Sequence, residues 1–322
     1  MTQTPKSLYA NYKKISSDLR LIIEAAAFGT FAGFFGHKLW FFNVFAHFRP
    51  HYIVIFGLLF LWAAYRRSFT AMAVVLALIL VNATVLFQFH ERMPHVDLNM
   101  PAASGTSLKV VSANIYSSPA SPSLLQNYLL NTYIDIAILT EYSNDWDGIF
   151  QRWNLPFAYM VKQPQPDNFG IALLSRWPLI NIRIVKMGQD VPMPSIFATA
   201  ITPLGRIRIV ATHPAPPISP LLARWNTATV LQIIEILKVA TIPVLVAGDF
   251  NSTPWAYPLN QIINMPHVKG GSFYGTWPGF MQKLGLPIDH IFITGPYQFT
   301  QYRNGPEIGS DHLPLEAVIV RQ

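Results

Sequence analysis

Cysteine is absent from all 322 residues. Disulfides and thiolate metal ligands are therefore excluded, and any metal must be held by oxygen or imidazole donors. Charge is scarce as well: Asp, Glu, Lys and Arg make up 12% of the chain, against roughly 25% in an ordinary soluble domain. Hydrophobic residues make up 51% and the mean hydropathy is +0.30, which a wholly water-exposed globule does not explain. Internal repeats, low-complexity tracts and Lys/Arg-rich runs in the later chain are also lacking. The net charge of +7 resolves when divided. Residues 1–107 hold 9 Lys/Arg against 4 Asp/Glu, and residues 108–322 hold 14 against 12. The basic excess lies beside the hydrophobic segments, where membrane topology accounts for it. The nearly neutral remainder argues against a duplex-binding surface.

What the first part does have is apolar length. Leu21–Phe35, Tyr52–Tyr65 and Phe69–Phe89 are apolar runs, the last carrying no charge over its whole length. About twenty such residues cross a bilayer as helix. We expect a cytoplasmic tail over 1–18, three transmembrane helices within 19–89 (19–36, 51–65 and 69–89), a linker over 90–107 and a catalytic domain over 108–322. Leu39–Phe48, rich in Trp and Phe, suits the headgroup level. Lys6, Lys13, Lys14 and Arg20 in the tail and Arg66–Arg67 between the second and third spans outnumber Lys38 and Arg49 in the intervening loop. That bias places the tail and the 66–68 loop in the cytoplasm and the domain after residue 90 outside it. Glu24, inside the first span, requires a near-surface or bundle-facing place.

From Leu108 short apolar runs recur with turn signals between them. Strands are expected at 108–113, 134–140, 157–161, 169–175, 179–186, 195–202, 205–211, 243–248, 288–293 and 314–320. Helices are expected at 121–131 and 220–240, the second opened by Ser219–Pro220. Many strands with few helices between them indicate an α/β (α+β) sandwich.

Polar residues gather at the strand ends. They are Asn114 after LKVVSA, Glu141 after IDIAILT, His213 after RIRIVAT, Asp249 and Asn251 after VLVAG, Asp289 in PIDHIFI, and Asp311–His312 in GSDHLPL. Any one of them is an ordinary turn former or hydrogen bonder; the repetition is not ordinary. Carboxylates and amides with few His and no Cys suit a hard cation such as Mg²⁺. Hydrolysis of a phosphodiester requires its charge offset, a water activated and the leaving oxygen protonated or metal-bound. Glu141 can hold the metal and Asp249 can orient and deprotonate the water. Asn114, Asn251 and His213 can donate to phosphate oxygens, and a neighbouring carboxylate can keep His312 protonated. On an extended chain Asp249 and Asn251 would share a face, with Phe250 pointing back into the protein. Gly309 opens a loop in which Asp311 and His312 can both reach one site.

The blocks ANIYSS, ILTEYS, GIALLSRWP, ATHPAPP, VAGDFNSTP, PIDHIFI and GSDHLPL, in this order over 108–322, resemble the endonuclease/exonuclease/phosphatase superfamily. The resemblance implies a four-layer sandwich of two mixed β-sheets flanked by helices, and a metal-dependent phosphoesterase. It implies that Asn114, Glu141 and Asp311 lie at the metal, that Asp249 activates water, and that Asn251 and His213 contact phosphate. Asp289 would support the catalytic His312, and Ser175–Arg176 would be structural. Mg²⁺ is the implied cofactor, with Mn²⁺ or Ca²⁺ as substitutes. Thr140 stands where the family often has Gln. The N-terminal helices further resemble bacterial membrane-anchored members of the family, which implies a plasma-membrane protein with an extracytoplasmic catalytic domain acting on a membrane or envelope lipid phosphate. A surface nuclease acting on DNA would use the same chemistry, but the weak basicity of 108–322 counts against it. A catalytically inert membrane scaffold conflicts with the intact polar set.

Overall fold

A computed structural model describes residues 20–93, 106–188 and 190–322. The tail expected over 1–18 and most of the expected linker fall outside these residues. The chain divides into two compact units between Gln88 and Phe89.

The first unit is helical. Helix α1 occupies 20–32 among the described residues and runs into a 3₁₀ turn at Gly33–Phe35; α2 (Trp40–Ala46), α3 (Arg49–Tyr65) and α4 (Phe69–His90) follow. At 1.5 Å per residue the 17 residues of α3 reach only about 25 Å, and the 22 of α4 about 33 Å, against a hydrocarbon core of roughly 30 Å. Among the described residues, α4 alone is long and apolar enough to cross a membrane; α2 with α3, bent by 57°, passes only if the pair is counted as one span. Of the three spans expected over 19–89, one is thus matched among the described residues by a helix that can cross alone, and a second only if the bent α2–α3 pair is counted as one. The second is short because Arg49–Pro50 starts a separate helix after the bend. The first breaks at Gly33–Phe35, where two Gly residues flank the aromatics. Glu24 is exposed and accepts a hydrogen bond from Arg20 one turn away at 2.7 Å.

The second unit runs β1 (Ser107–Asn114), α5 (Pro122–Asn131), β2 (Ile136–Thr140), α6 (Asn144–Phe150), β3 (Tyr159–Gln163), β4 (Ile171–Ser175), β5 (Leu179–Lys186), β6 (Pro194–Thr202), β7 (Gly205–Ala211), α7 (Pro220–Lys238), β8 (Val244–Asp249), α8 (Leu259–Ile263), β9 (Val268–Gly270), β10 (Asp289–Thr294), β11 (Tyr297–Asn304) and β12 (Leu315–Arg321). Two six-stranded sheets result, ordered β11-β12-β1-β2-β4-β3 and β5-β6-β7-β8-β10-β9. Each is mixed around one central parallel pair, β1–β2 in the first and β7–β8 in the second. A helix bridges each pair, α5 in the first and α7 in the second, because parallel neighbours require a crossover. Parallel strands end on the same side, so Asn114 and Thr140 finish together, as do Ala211 and Asp249.

Leu108, Val110, Ile138 and Leu173 of the first sheet pack against Ile196, Ile207, Ile209, Leu245 and Ile291 of the second. Helices α5 and α6 cover the outer face of the first sheet with Leu125, Leu129, Trp146 and Phe150. Helix α7 buries Val230, Ile233, Ile234 and Leu237. Covered on both faces, β2 (IAILT) and β4 (IALLS) are buried throughout and apolar up to their last residue. This is the sandwich of two mixed sheets flanked by helices that the sequence leads one to expect. The strand expected at 157–161 lies at 159–163, since Phe157 is drawn into the outer core instead of the ladder.

Phe250, following β8, is fully buried and packs edge-on against Phe292 at 5.5 Å between centroids. Truncation there leaves a cavity beneath the Asp249 turn. Phe250→Ala is expected to cost about 3–5 kcal/mol, and Phe250→Leu clearly less. Denaturant unfolding of the purified full chain followed by near-ultraviolet circular dichroism checks this.

Candidate active site

The strand-end residues converge from both sheets. Asn114, Glu141 and His312 belong to the first sheet; His213, Asp249, Asn251 and Asp289 belong to the second. The close approach of β8 to the end of β7 depends on Gly248, with φ +153°, where any Cβ would collide with the Thr212 carbonyl. Tyr116, Glu141 and Asn251 all adopt left-handed backbone, with φ +57°, +61° and +49°. Asn tolerates this, whereas for Tyr and Glu such a conformation costs on the order of 1–3 kcal/mol and persists only under surrounding constraint. At Glu141 the constraint is visible, because Tyr142 N–H donates to Gly170 O at 3.0 Å and Ser117 N–H donates to Glu141 Oε2 at 3.0 Å.

Asp249 is the hub. The Asn114 amide donates to its Oδ2 at 3.1 Å and to Glu141 Oε1 at 2.9 Å, tying two carboxylates to one nitrogen. His213 Nε2 lies 3.5 Å and His312 Nε2 3.8 Å from the same Oδ2. The other oxygen, Oδ1, accepts the Asn251 N–H at 2.8 Å, a side-chain-to-backbone turn typical of Asp. Asn251 thus sits in a turn and not on an extended strand. Its amide reaches across to His213 Nε2 at 3.3 Å and Pro214 O at 3.0 Å. Asp249 is therefore both the turn former and the centre of the cluster.

His312 is buried, and its Nδ1 is 2.9 Å from Asp289 Oδ2. Burial alone would lower the imidazole pKa, but the charges of Asp289 and Asp249, the hydrogen bond from Nδ1 and the charge of Asp311 raise it to about 9. Burial opposes ionisation of Asp249 too; the His312 cation, then His213 and the Asn251 N–H, overcome it and hold the carboxyl near 2. Burial pushes Asp289 up, the His312 cation opposes this, and Asp249 adds to it. A protonated His312 thus bridges two carboxylates. Nearby His290 is neutral: burial lowers it to about 4, its Nε2 donates to Ser252 O at 2.8 Å, and its Nδ1 accepts from Ser272 N at 3.1 Å.

Asp311 takes a different place from its neighbour. It is exposed, and its Oδ2 accepts the Trp277 indole N–H at 3.0 Å. Ser175 and Arg176 lie away from the cluster, where Arg176 Nε donates to Ile134 O at 2.7 Å. Three contributors are not singled out by the sequence. Ser117 holds Glu141 through its backbone N–H. Thr276 accepts the Asp289 N–H at 3.4 Å. Asn226, on the buried face of α7, donates to Ala215 O at 2.8 Å and Phe250 O at 3.0 Å, latching the His213 loop to the Asp249 turn. The sequence marks Asn226 only as an amide on the largely apolar face of α7.

The donor set suits a hard divalent cation. Glu141 is half-buried, each of its oxygens accepts only one hydrogen bond, and Asp249 stands on the same amide. Asp289 Oδ1 is buried without a hydrogen-bond partner. Ligand atoms of Asp249, Asp289 and His312 also lie within 4.8 Å of one another. A proton already occupies the His312–Asp289 contact, however, so this trio reads as a hydrogen-bonded ion cluster, and Glu141, beside Asp249 on the Asn114 amide, is the more open oxygen donor.

Fold and site together define a metal-dependent hydrolase of phosphate esters. Residues 111–312 match the Endonuclease/Exonuclease/phosphatase family, and the chain belongs to it. Solved structures share the fold at low identity. A humanised TDP2 from D. rerio is 13% identical with a TM-score of 0.57, covering 67% of this chain and 100% of that one. The endonuclease/exonuclease/phosphatase from Bacteroides vulgatus is 17% identical with a TM-score of 0.56, covering 68% and 100%. The human nocturnin catalytic domain with bound sulfate is 18% identical with a TM-score of 0.53, covering 67% and 95%. A search of curated proteins finds no match in sequence.

The folded state holds the His312 proton more tightly than an unfolded chain would. The resulting stability is fully present below about pH 6.5 and disappears as pH rises through about 9. The loss is on the order of 3 kcal/mol for a shift of this size. Asp249 acts in the opposite sense: its contribution is present above about pH 4 and is lost as pH falls through about 2. Unfolding midpoints measured across pH 6–10 should therefore decline in the wild type and stay nearly flat in His312→Gln.

Proposed function

We propose that the chain is a membrane-anchored, Mg²⁺-dependent phosphoesterase that hydrolyses a phosphate ester of a membrane or envelope lipid. The observation that carries the chemistry is the single Asp249 carboxylate, ionised and flanked by His213, His312 and Asn114. In this reading Asp249 orients the attacking water as an acceptor. Its low proton affinity suits proton uptake coupled to formation of the new P–O bond, not to prior deprotonation. His312, protonated and aligned by Asp289, presents Nε2–H to a phosphate oxygen as negative charge builds there. His213 and Asn251 stand beside it as further donors. Glu141, with Asp249 and Asn114 beside it, would hold the cation, which supplies Lewis-acid neutralisation of the phosphate charge when bound. Attack is in line and in one step, without a covalent enzyme intermediate. Asp311 acts at a distance, as a charge that favours the His312 cation.

The lipid assignment is supported by α4. It carries no Asp, Glu, Lys or Arg, and its side chains Leu76, Leu80 and Phe87 are exposed, as a lipid-facing helix requires and the core helix of a soluble protein does not. An anchor of this kind concentrates the site at the bilayer. The Lys/Arg bias of the flanking segments supports a bacterial plasma-membrane protein with the catalytic unit outside the cytoplasm.

Asp249→Asn and His312→Ala are expected to lower turnover at least about a thousandfold in protein that is less stable, having lost a buried ion pair, but still folds and inserts, and EDTA should abolish it. Phosphate or head-group release from a panel of lipids and DNA in Mg²⁺ decides the substrate class. Cleavage of DNA but of no lipid removes the lipid reading; full activity in either variant removes the mechanism.

The absence of native cysteine makes topology directly testable. Val239→Cys should be modified by a membrane-impermeant maleimide on intact cells. Labelling only after the inner leaflet is opened would overturn the extracytoplasmic placement.

A further inference from the structure

Two loops leave the catalytic cluster with apolar side chains turned outward. The first follows His213 and carries Ile218, 76% exposed, and Leu221 at the start of α7, 53% exposed. The second, Trp277–Leu286, is closed at its base by Leu286 N–H on Trp277 O at 2.5 Å and Thr276 N–H on Leu286 O at 3.1 Å. It displays Phe280 at 82% exposure, together with Met281, Leu284 and Trp277. This loop is fastened to the segment bearing His312. Gly279 N–H donates to Asp311 O at 2.7 Å, Leu313 N–H to Thr276 O at 3.0 Å, and the Trp277 indole to Asp311 Oδ2 at 3.0 Å. The apolar tip and the catalytic imidazole are thus parts of one braced structure.

Large apolar side chains clustered in this way mark a surface that is covered in use. We propose that these two loops are a lipid-docking surface: they seat in the outer part of an anionic phospholipid leaflet and bring a lipid phosphate to His312. The inference rests on the membrane-anchored reading above, because α4 ends at His90 and β1 begins at Ser107. The sixteen residues between them reach at most about 55 Å fully extended, which confines the catalytic unit to the bilayer surface. The composition also selects lipid. Trp and Phe suit the headgroup boundary, Lys283 at the tip can reach lipid phosphates, and neither 214–221 nor 277–286 contains an acidic residue. Single-stranded nucleic acid would require stacking faces along a basic track. Four of the six side chains (Ile218, Leu221, Met281, Leu284) are aliphatic or thioether, and Lys283 is the one cation in the two loops.

The test uses the full chain, whose lack of cysteine makes a single introduced one unique. Phe280→Cys, carrying an environment-sensitive fluorophore, is reconstituted into phosphatidylglycerol/phosphatidylcholine vesicles containing doxyl-labelled lipid. Val239→Cys is the control, since it lies at the far end of α7, about 28 Å along the helix from the His213 loop. The proposal expects quenching at 280 severalfold greater than at 239. It also expects Phe280→Ser/Leu284→Ser to lose roughly tenfold in turnover of a vesicle-embedded lipid phosphate, with turnover of a water-soluble phosphate ester unchanged. Equal quenching at the two positions overturns it. So does protection of the 280 probe by single-stranded DNA but not by lipid, or lipid-independent self-quenching that marks a second copy of the chain. If the probe is quenched but no lipid is hydrolysed, docking stands and the substrate reading falls. If lipid is hydrolysed while the probe stays unquenched, the reverse holds.

Discussion

A carboxylate shut away from water with both of its oxygens engaged is the constraint from which the catalytic unit follows. Asp249 is almost fully buried, where an isolated anion is strongly disfavoured. It is stabilised only because His312, His213, Asn114 and the Asn251 N–H meet it from different elements. Removing any one of them leaves negative charge uncompensated, and this explains why the surroundings are so heavily braced. Gly248 permits the strand to come close, Asn226 latches two loops, and Glu141 accepts a left-handed backbone. The same brace keeps His312 charged. A buried imidazole without its carboxylates would be neutral, as His290 is one residue beyond Asp289.

The helical unit handles polarity in a contrasting way. Its helices are apolar on nearly all sides, so the few polar atoms inside must find one another. Arg49 Nη1 donates to Asn82 Oδ1 at 3.2 Å, Asn82 Nδ2 donates to Thr30 Oγ1 at 2.9 Å, and the guanidinium lies 4.2 Å from the centre of the Phe34 ring. A buried chain of this kind links α1, α3 and α4 where ridge packing of Leu and Val alone would leave their register weakly specified.

Much of this architecture is legible before any coordinates are in hand. Fully buried strands announce themselves as unbroken apolar runs, and Asn114, Glu141, His213, Asp249, Asp289 and His312 stand at their ends for the same reason that they meet in space. What escapes notice is local irregularity. Strand β11 reads as polar because a bulge between Phe299 and Gln301 interrupts the alternation of Tyr297, Phe299 and Tyr302. Strand β9 is three residues long, and α6 owes its seven residues to a Ser143 cap and to burial of Trp146 and Phe150. Side-chain roles set by distances across the interior escape as well. Nothing in the spacing of Asn114 and Asp249, 135 positions apart, reveals that one amide secures two carboxylates. Adjacency in sequence misleads at Asp311–His312, where one side chain is buried and the other is taken up by Trp277. For the spans, composition locates α3 and α4 to within two residues but does not register the bend that separates α3 from α2.

Two of the bonds around Asp249 and His312 cross from one sheet to the other: Asn114 reaches Asp249, and His312 reaches Asp289. The candidate site therefore lies on a seam, with neither half of the sandwich holding the full set. An early folding species with only one sheet formed carries half a reaction centre and can do no chemistry. Activity then serves as a gauge of docking between the halves, and fragments divided between β4 and β5 would recover it only by complementation. Until its two halves have closed on each other, the chain has nothing with which to attack a phosphate ester.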